Sequence, residues 1–305
     1  MRDISRAFAK GKRDYRALYR AGILCLDAPR SSEGDDADGE PIRSHERGRG
    51  GAVNFAPFRI ESGARTHEGR VRDHNEDSFC AREDVGLWAV ADGMGGHEGG
   101  EWASARIAER LSEAELPAEF EAATGAIAEA ILAANRLILA EARRRQRQMG
   151  STVVTLLVRD ERYAVQWVGD SRAYLLRDGE FIQLSRDHTQ VQEMVDRGIM
   201  KPEDAHNHPM GHILSRAVGV REEVDVAMAT GEVLPGDVFL LCSDGLHGYV
   251  DEPDIVRLLS RGSPERASEE LVEATLANGA PDNVTVIAIW ASDPTLLSLP
   301  DSVGT

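Results

Sequence analysis

The chain has 305 residues, 42% of them hydrophobic, and a formal net charge of −17. That length holds one large or two small domains and can bury a sizeable core, while the acidity argues against nucleic acid or an anionic membrane as a partner. The three cysteines, Cys25, Cys80 and Cys242, are odd in number and widely spaced, which fits a reducing cytoplasm better than a disulfide framework. None is followed six positions later by the arginine that a cysteine-dependent phosphatase loop needs, and Cys242 is expected to pack as a small buried hydrophobe. No uninterrupted apolar run is long enough to cross a bilayer and no signal peptide is recognisable, so a soluble, cytoplasmic protein is expected.

Residues 1–55 differ from the rest. Up to Asn54 they carry eleven Lys and Arg against nine Asp and Glu, and SSEGDDADGEP followed by RGRGG has the polar, Gly-rich composition of a disordered leader. Phe8, Tyr15, Leu18 and Leu26 could share one side of a short helix there. In the domain expected over 56–292, Leu87 to Ala91 reads as a buried strand. Glu101 to Glu113 reads as a helix with Ala103, Ile107 and Leu111 on one face. A second helix carries Phe120, Ile127, Ile131, Ala134 and Ile138 at three- and four-residue steps, and its basic end, Arg143 to Arg147, suits a solvated C-terminus facing the macrodipole. Strand signals follow at Thr152–Val158, Tyr163–Val168, Ala173–Leu176, Phe181–Leu184, Val224–Ala229, Val238–Cys242 and Val284–Trp290, with a hairpin at Asp178-Gly179. The stretch 187–220 is mixed, and its His188, His206, His208 and His212 lack the cysteines of a zinc site, so structural or surface roles are expected. A last helical stretch covers Val256 to Leu259 and Ala267 to Ala277, and 293–305 form a tail. Strands in runs with helices in pairs give an α+β chain, not a doubly wound parallel sheet.

The chemistry concentrates at four acidic strand ends. VADGMGGHEGGE, Val90 to Glu101, places Asp92 at the mouth of an apolar strand and follows it with glycines that let an ion and its waters approach the backbone. NED at Asn75–Asp77, SDG around Asp244 and PDN around Asp282 repeat the theme. One such Asp-Gly is ordinary turn chemistry. Four Asp-containing strand ends suggest an all-oxygen divalent metal centre assembled by the fold.

The order R-x-x-N-E-D (Arg72–Asp77), A-D-G-M-G-G-H (Ala91–His97), G-S-T (Gly150–Thr152), G-D-S-R (Gly169–Arg172), S-D-G-L (Ser243–Leu246) and D-N-V-T (Asp282–Thr285) resembles the bacterial metal-dependent protein phosphatases of the PPM or type 2C family, from about Ser62 to Trp290. The resemblance implies an αββα sandwich of two antiparallel sheets with paired helices outside, and a flap at about 187–220. It implies hydrolysis of phosphoserine and phosphothreonine in proteins through a binuclear Mn2+ or Mg2+ centre and a bridging hydroxide. In that scheme Asp92 bridges two metals, Gly93 offers its carbonyl, Asp77 contributes directly or through water, and Asp244 and Asp282 complete the site. Asp170 with Asp244 would hold a third, weaker ion; Glu76 would hold metal-bound water, and Arg72 would grip the phosphate. Arg72 and Asp92 would thus carry the catalysis. Met94 stands where eukaryotic members place a proposed acid, a histidine, which leaves His97 and a metal-bound water as candidates for protonating the leaving group. The implied partners are a phosphorylated protein and a cognate Ser/Thr kinase, with a monomeric enzyme. The segment GLWAVADGMGGHEGGEWAS also resembles the phosphatases of type VI secretion systems. The alternative is an inactive phosphatase-fold regulatory module, against which the intact Asp77, Asp92, Asp244 and Asp282 speak.

Overall fold

Strand β4, Leu87–Met94, shows how the sequence builds the layers. Trp88 and Val90 enter one apolar cluster, and Leu87, Ala89 and Ala91 enter another, because successive side chains of a strand face opposite ways. All five are at most 1% exposed, so β4 is covered on both faces. A computed structural model describes residues 25–27, 58–96, 98–205 and 208–293.

The first sheet contains β1 (Cys25–Asp27), β3 (Asp77–Arg82), β4, β5 (Gly150–Ser151), β6 (Val153–Arg159), β7 (Arg162–Val168) and β10 (Ala227–Glu232). Its order is β1-β10-β7-β6-β4-β3, with β5 on the end of β4. The second sheet runs β2-β12-β11-β8-β9, from β2 (Arg59–His67), β12 (Val284–Ser292), β11 (Val238–Cys242), β8 (Arg172–Arg177) and β9 (Glu180–Gln183). Every named strand pair is antiparallel. Between the sheets lie Trp88, Val90, Val154, Trp167, Phe239, Ile287 and Ile289. Outside the first sheet pack α1 (Glu98–Glu113) and α2 (Phe120–Arg145) through Ile107, Leu111, Ile127, Ile131 and Ile138. Outside the second pack α6 (Glu252–Leu259) and α7 (Pro264–Ala277), after the short α5 (Asp244–His247). The architecture is therefore the expected αββα sandwich.

Helix α2 begins where Glu119 accepts a hydrogen bond from the Ala122 amide at 3.1 Å and stops where Gln146 turns left-handed at φ 53°. By length and composition it could cross a membrane, which the search for uninterrupted apolar runs missed. Its apolar stripe instead closes the outer face of the first sheet, as a core helix does. Asp178 and Gly179 both have positive φ, 51° and 79°, the geometry of the tight hairpin turn between β8 and β9.

Three expectations are corrected. Cys25–Asp27 lies in the stretch read as a disordered leader, yet it forms β1 and pairs with Ala227–Ala229 of β10; the Phe8, Tyr15 and Leu18 stripe lies outside the described residues. The strand expected at Val224–Ala229 starts later, at Ala227, because Val224 and Val226 leave the ladder to pack with the α1 and α2 cluster. The last helical stretch is two helices, broken where the Ser263 side chain caps α7 and Pro264 opens it. The flap between β9 and β10 contains α3 (Gln190–Asp196) and α4 (Pro202–Ala205).

Candidate active site

Asp77 opens β3 and Asp92 lies near the end of β4, and the register pairs them directly across the strands. Directly opposite residues of an antiparallel pair share a face, so two like charges are held side by side, an unfavourable arrangement without a counter-charge. The second sheet brings the others. Asp170 occupies the turn between β7 and β8, Asp244 starts α5 just after β11, and Asp282 precedes β12. A cavity of about 640 Å3 is lined by Arg72, Glu76, Asp92, Gly93, Asp170, Asp244 and Asp282, with Leu214–Ala217 of the flap on its other wall. Asp77 sits behind this wall, 7% exposed.

The electrostatics follow from burial and crowding. Asp77 is raised to about 7 by burial and by the facing Asp244 and Asp282, against the Ser243 hydroxyl, which donates to its Oδ2 at 2.8 Å. Its Oδ1 is buried with no hydrogen-bond partner. Burial, then Asp77, Asp244, Asp170 and Asp282, push Asp92 well above the usual carboxylate range, and burial with Asp244 and Asp187 raises Asp170 to about 8. Burial acts upward on Asp244 too, but His212 and His247 outweigh it and leave this carboxyl lowered. An orphaned carboxylate oxygen and a group of acids that raise one another are the signature of a site built for cations, and an all-oxygen donor set fits Mg2+ or Mn2+. Among the described residues no three or more His, Cys, Asp or Glu side chains are drawn together closely enough to hold a metal ion; the acids instead line a wall, and ions bound there would need water and substrate to complete their coordination.

Arg72 reaches the same cavity, and its guanidinium donates to Asp282 Oδ2 at 2.8 Å. Asn283 secures the loop that carries it. Its Nδ2 donates to the Glu68 and His74 carbonyls at 2.9 and 2.8 Å, while its Oδ1 accepts from the Glu76 amide at 2.8 Å. Thr152 does the same for Asp92. Its Oγ1 accepts from the Asp92 amide at 3.1 Å and its amide donates back to the Asp92 carbonyl at 2.8 Å. Thr152 also touches Ser171 at 2.6 Å, which ties the G-S-T and G-D-S-R motifs together. Glycines give the backbone room: a Cβ on Gly93 would stand 2.1 Å from the Gly100 carbonyl, and one on Gly100 would stand 2.0 Å from Glu76 Oε2.

The histidines disperse. His188 accepts from the Gly169 amide at 3.1 Å and stacks on Trp167, His208 accepts from the Met210 amide at 3.2 Å, and His206 and His97 lie outside the described residues. His212 approaches Asp244 Oδ2 at 3.7 Å from the flap, and His247 Nε2 is 3.2 Å from the Asp170 carbonyl. The sequence reading missed Asn283, Ser243, His212 and His247 as site residues. Asn283 and Ser243 flank motif aspartates and were within reach of it; the two histidines join the site only through tertiary contact.

The protein family described as Protein phosphatase 2C matches residues 61–194. A serine/threonine phosphatase, stp, of Listeria monocytogenes is 37% identical over 238 residues, which cover 74% of this chain and 93% of that protein. The chain belongs to the protein phosphatase 2C family. It is also similar to the serine/threonine protein phosphatase PstP of Mycobacterium tuberculosis, 38% identical over 226 residues, 73% of this chain; that match spans only 43% of PstP. Among solved structures of the family, PppA, described as a key regulatory component of T6SS in Pseudomonas aeruginosa, superposes with a TM-score of 0.71 at 38% identity, over 76% of this chain and 97% of PppA. The catalytic domain of a PstP in complex with two manganese ions gives 0.68 at 36% identity, over 77% of this chain and 99% of that one. In this chain Arg72, Glu76, Asp92, Asp170, Asp244 and Asp282 line one cavity, with Asp77 buried behind it.

Proposed function

We propose that the protein is a Mn2+- or Mg2+-dependent phosphatase that hydrolyses phosphoserine and phosphothreonine in proteins. One observation carries this reading: both sheets deliver mutually repelling carboxylates to a single cavity, with Arg72 at its edge, in a protein phosphatase 2C chain. Asp92 and Asp77, with the Gly93 carbonyl, would hold one ion and Asp244 and Asp282 a second, Asp92 serving both; Asp170 and Asp244 would hold a weaker third. Two bound ions would supply a water made nucleophilic at neutral pH and positive charge for the phosphoryl oxygens.

The rest of the chemistry belongs to the chain. Arg72 is 55% exposed and its partner Asp282 36%, so the pair opens without burying a charge, and the planar guanidinium can donate two bonds to a phosphate. Thr152, Ser171 and Asn283 fix Asp92, the Asp170 turn and the Arg72 loop, so that the acidic wall and the phosphate grip keep one geometry. Glu76, whose carboxylate fits against Gly100 at the start of α1, is placed to order water at the wall. The likeness to PppA and the segment around Asp92 support a role in type VI secretion; a cognate Ser/Thr kinase, a cytoplasmic location and a monomeric enzyme complete the proposal. Hydrolysis of a phosphothreonine peptide against a phosphodiester tests the reaction class. Cleavage of the monoester alone, stopped by chelator and restored by Mn2+, is expected; preference for the diester, or zinc as the sole restoring metal, contradicts it.

A further inference from the structure

A second cavity, of about 520 Å3, adjoins the first, and Met94, Gly95 and Val220 line both. Its floor is apolar, from Leu139, Ala142 and Met149, its edge carries Arg143 and Arg147, and none of its lining residues is acidic. On a chain of net charge −17 that is a local reversal of sign beside the reaction cavity. The walls are held in place. Asn135 of α2 donates to the Arg221 and Glu222 carbonyls at 2.9 and 3.1 Å and accepts from the Gly219 amide at 2.6 Å, which fastens the end of the flap to the helix. Arg143 pairs with Glu222 at 2.6 Å, and Arg144 and Arg145 both pair with Glu141. Arg147 is exposed and has no ion pair among the described residues. Val220, which with Met94 gives an apolar boundary between the two cavities, is 49% exposed.

We propose that this groove holds the substrate polypeptide next to its phosphorylated residue and selects acidic and apolar side chains there. The inference rests on the phosphatase reading of the adjoining cavity. A phosphothreonine bound at the acidic wall must lead its chain away from it, and an extended chain advances about 3.3 Å per residue, so residues a few positions along reach a groove that shares a wall with the reaction cavity. Arg147 then meets a carboxylate, and the Leu139, Ala142 and Met149 floor meets an apolar side chain. Charge complementarity of this kind selects partners more than it adds affinity.

The test compares kcat/KM for phosphothreonine peptides that differ only in Glu or Lys two to five positions to either side of the phosphoresidue. For the unaltered protein, Glu on one side should be favoured over Lys by about three- to tenfold, mainly through KM, the range one or two exposed charge pairs give. Arg147→Glu should reverse that preference and Arg147→Lys should keep it; a gain on the Lys peptide cannot come from misfolding. Equal rates on all peptides, or an unchanged preference in Arg147→Glu, overturn the proposal and leave the phosphatase reading intact. No hydrolysis of any phosphothreonine peptide overturns both. Changed sedimentation in Arg147→Glu with its preference intact assigns the groove to a second copy of the chain and also overturns it.

Discussion

Arg72 and Asp282 form one unit in this structure, 2.8 Å apart, which sets what each substitution does. Arg72→Ala removes charge-assisted bonds to phosphate and should lower kcat/KM on a phosphothreonine peptide by roughly ten- to hundredfold. It also frees Asp282, so calorimetric Mn2+ affinity should hold or rise; loss of metal binding would make Arg72 a structural residue. Asp77, raised to about 7, and Asp170, raised to about 8, keep protons in the folded, metal-free chain that the unfolded chain releases near about pH 4. Folded protein then binds more protons than unfolded, so stability falls as pH climbs to 8. Buried His188 and His247, both pushed down to about 4, act oppositely, but only below about pH 6.5. The chelated protein should therefore melt lower at pH 8 than at pH 6.5, and Mn2+ should raise the pH 8 value more; a chelated Tm that rises over this interval contradicts the crowding of acids. Asp92 and Asp244 were legible in the sequence because Asp-Gly at the end of an apolar run is a local pattern, and Asp77, Asp170 and Asp282 because their motifs follow in a recognisable order along the chain. His212 and His247 were not, because they meet Asp244 and Asp170 only across the fold.

Helix α1 and strand β4 meet glycine to glycine, and this contact positions Glu76. A Gly100→Ala methyl would stand 2.0 Å from Glu76 Oε2 and 2.8 Å from the Gly93 carbonyl carbon, so the carboxylate must move away from the cavity wall. Turnover at saturating Mn2+ should drop by about tenfold or more. Gly125→Ala is the control: in α2, with open space around it, it should add about 0.5–1 kcal/mol of stability and leave turnover alone. Wild-type turnover in Gly100→Ala would separate Glu76 from the chemistry. The long helices and the buried strands β4, β6, β11 and β12 were legible because their apolar residues recur with clear periods. Strand β2 was not, since only Gly63 of its nine residues is buried. Strand β10 was read three residues early because Val224 and Val226 look like strand residues while serving the helical core.

For the whole molecule, the sandwich brings acids distant in sequence, Asp77 and Asp282, to one end, and the described part of residues 1–55, Cys25–Asp27, adds an edge strand. Strand β1 contributes three ladder positions on β10. Each hydrogen bond nets about 1 kcal/mol, while ordering each residue costs about 1–2 kcal/mol, so the two nearly cancel. Deleting residues 1–55 should leave phosphothreonine hydrolysis intact and shift Tm by no more than about 2 °C, while baring a strand edge that favours aggregation; a large loss of rate would give the leader a part in the site. The most direct test of the central claim, that these carboxylates exist to hold divalent cations for phosphate hydrolysis, is calorimetric titration of Mn2+ into the chelated protein with phosphate release from a phosphothreonine peptide followed in parallel. The account predicts two tight equivalents, proton release on binding, activity that appears with the second equivalent, and loss of both binding and activity in Asp92→Asn. Turnover in the presence of chelator, or near-normal turnover by Asp92→Asn, would contradict it.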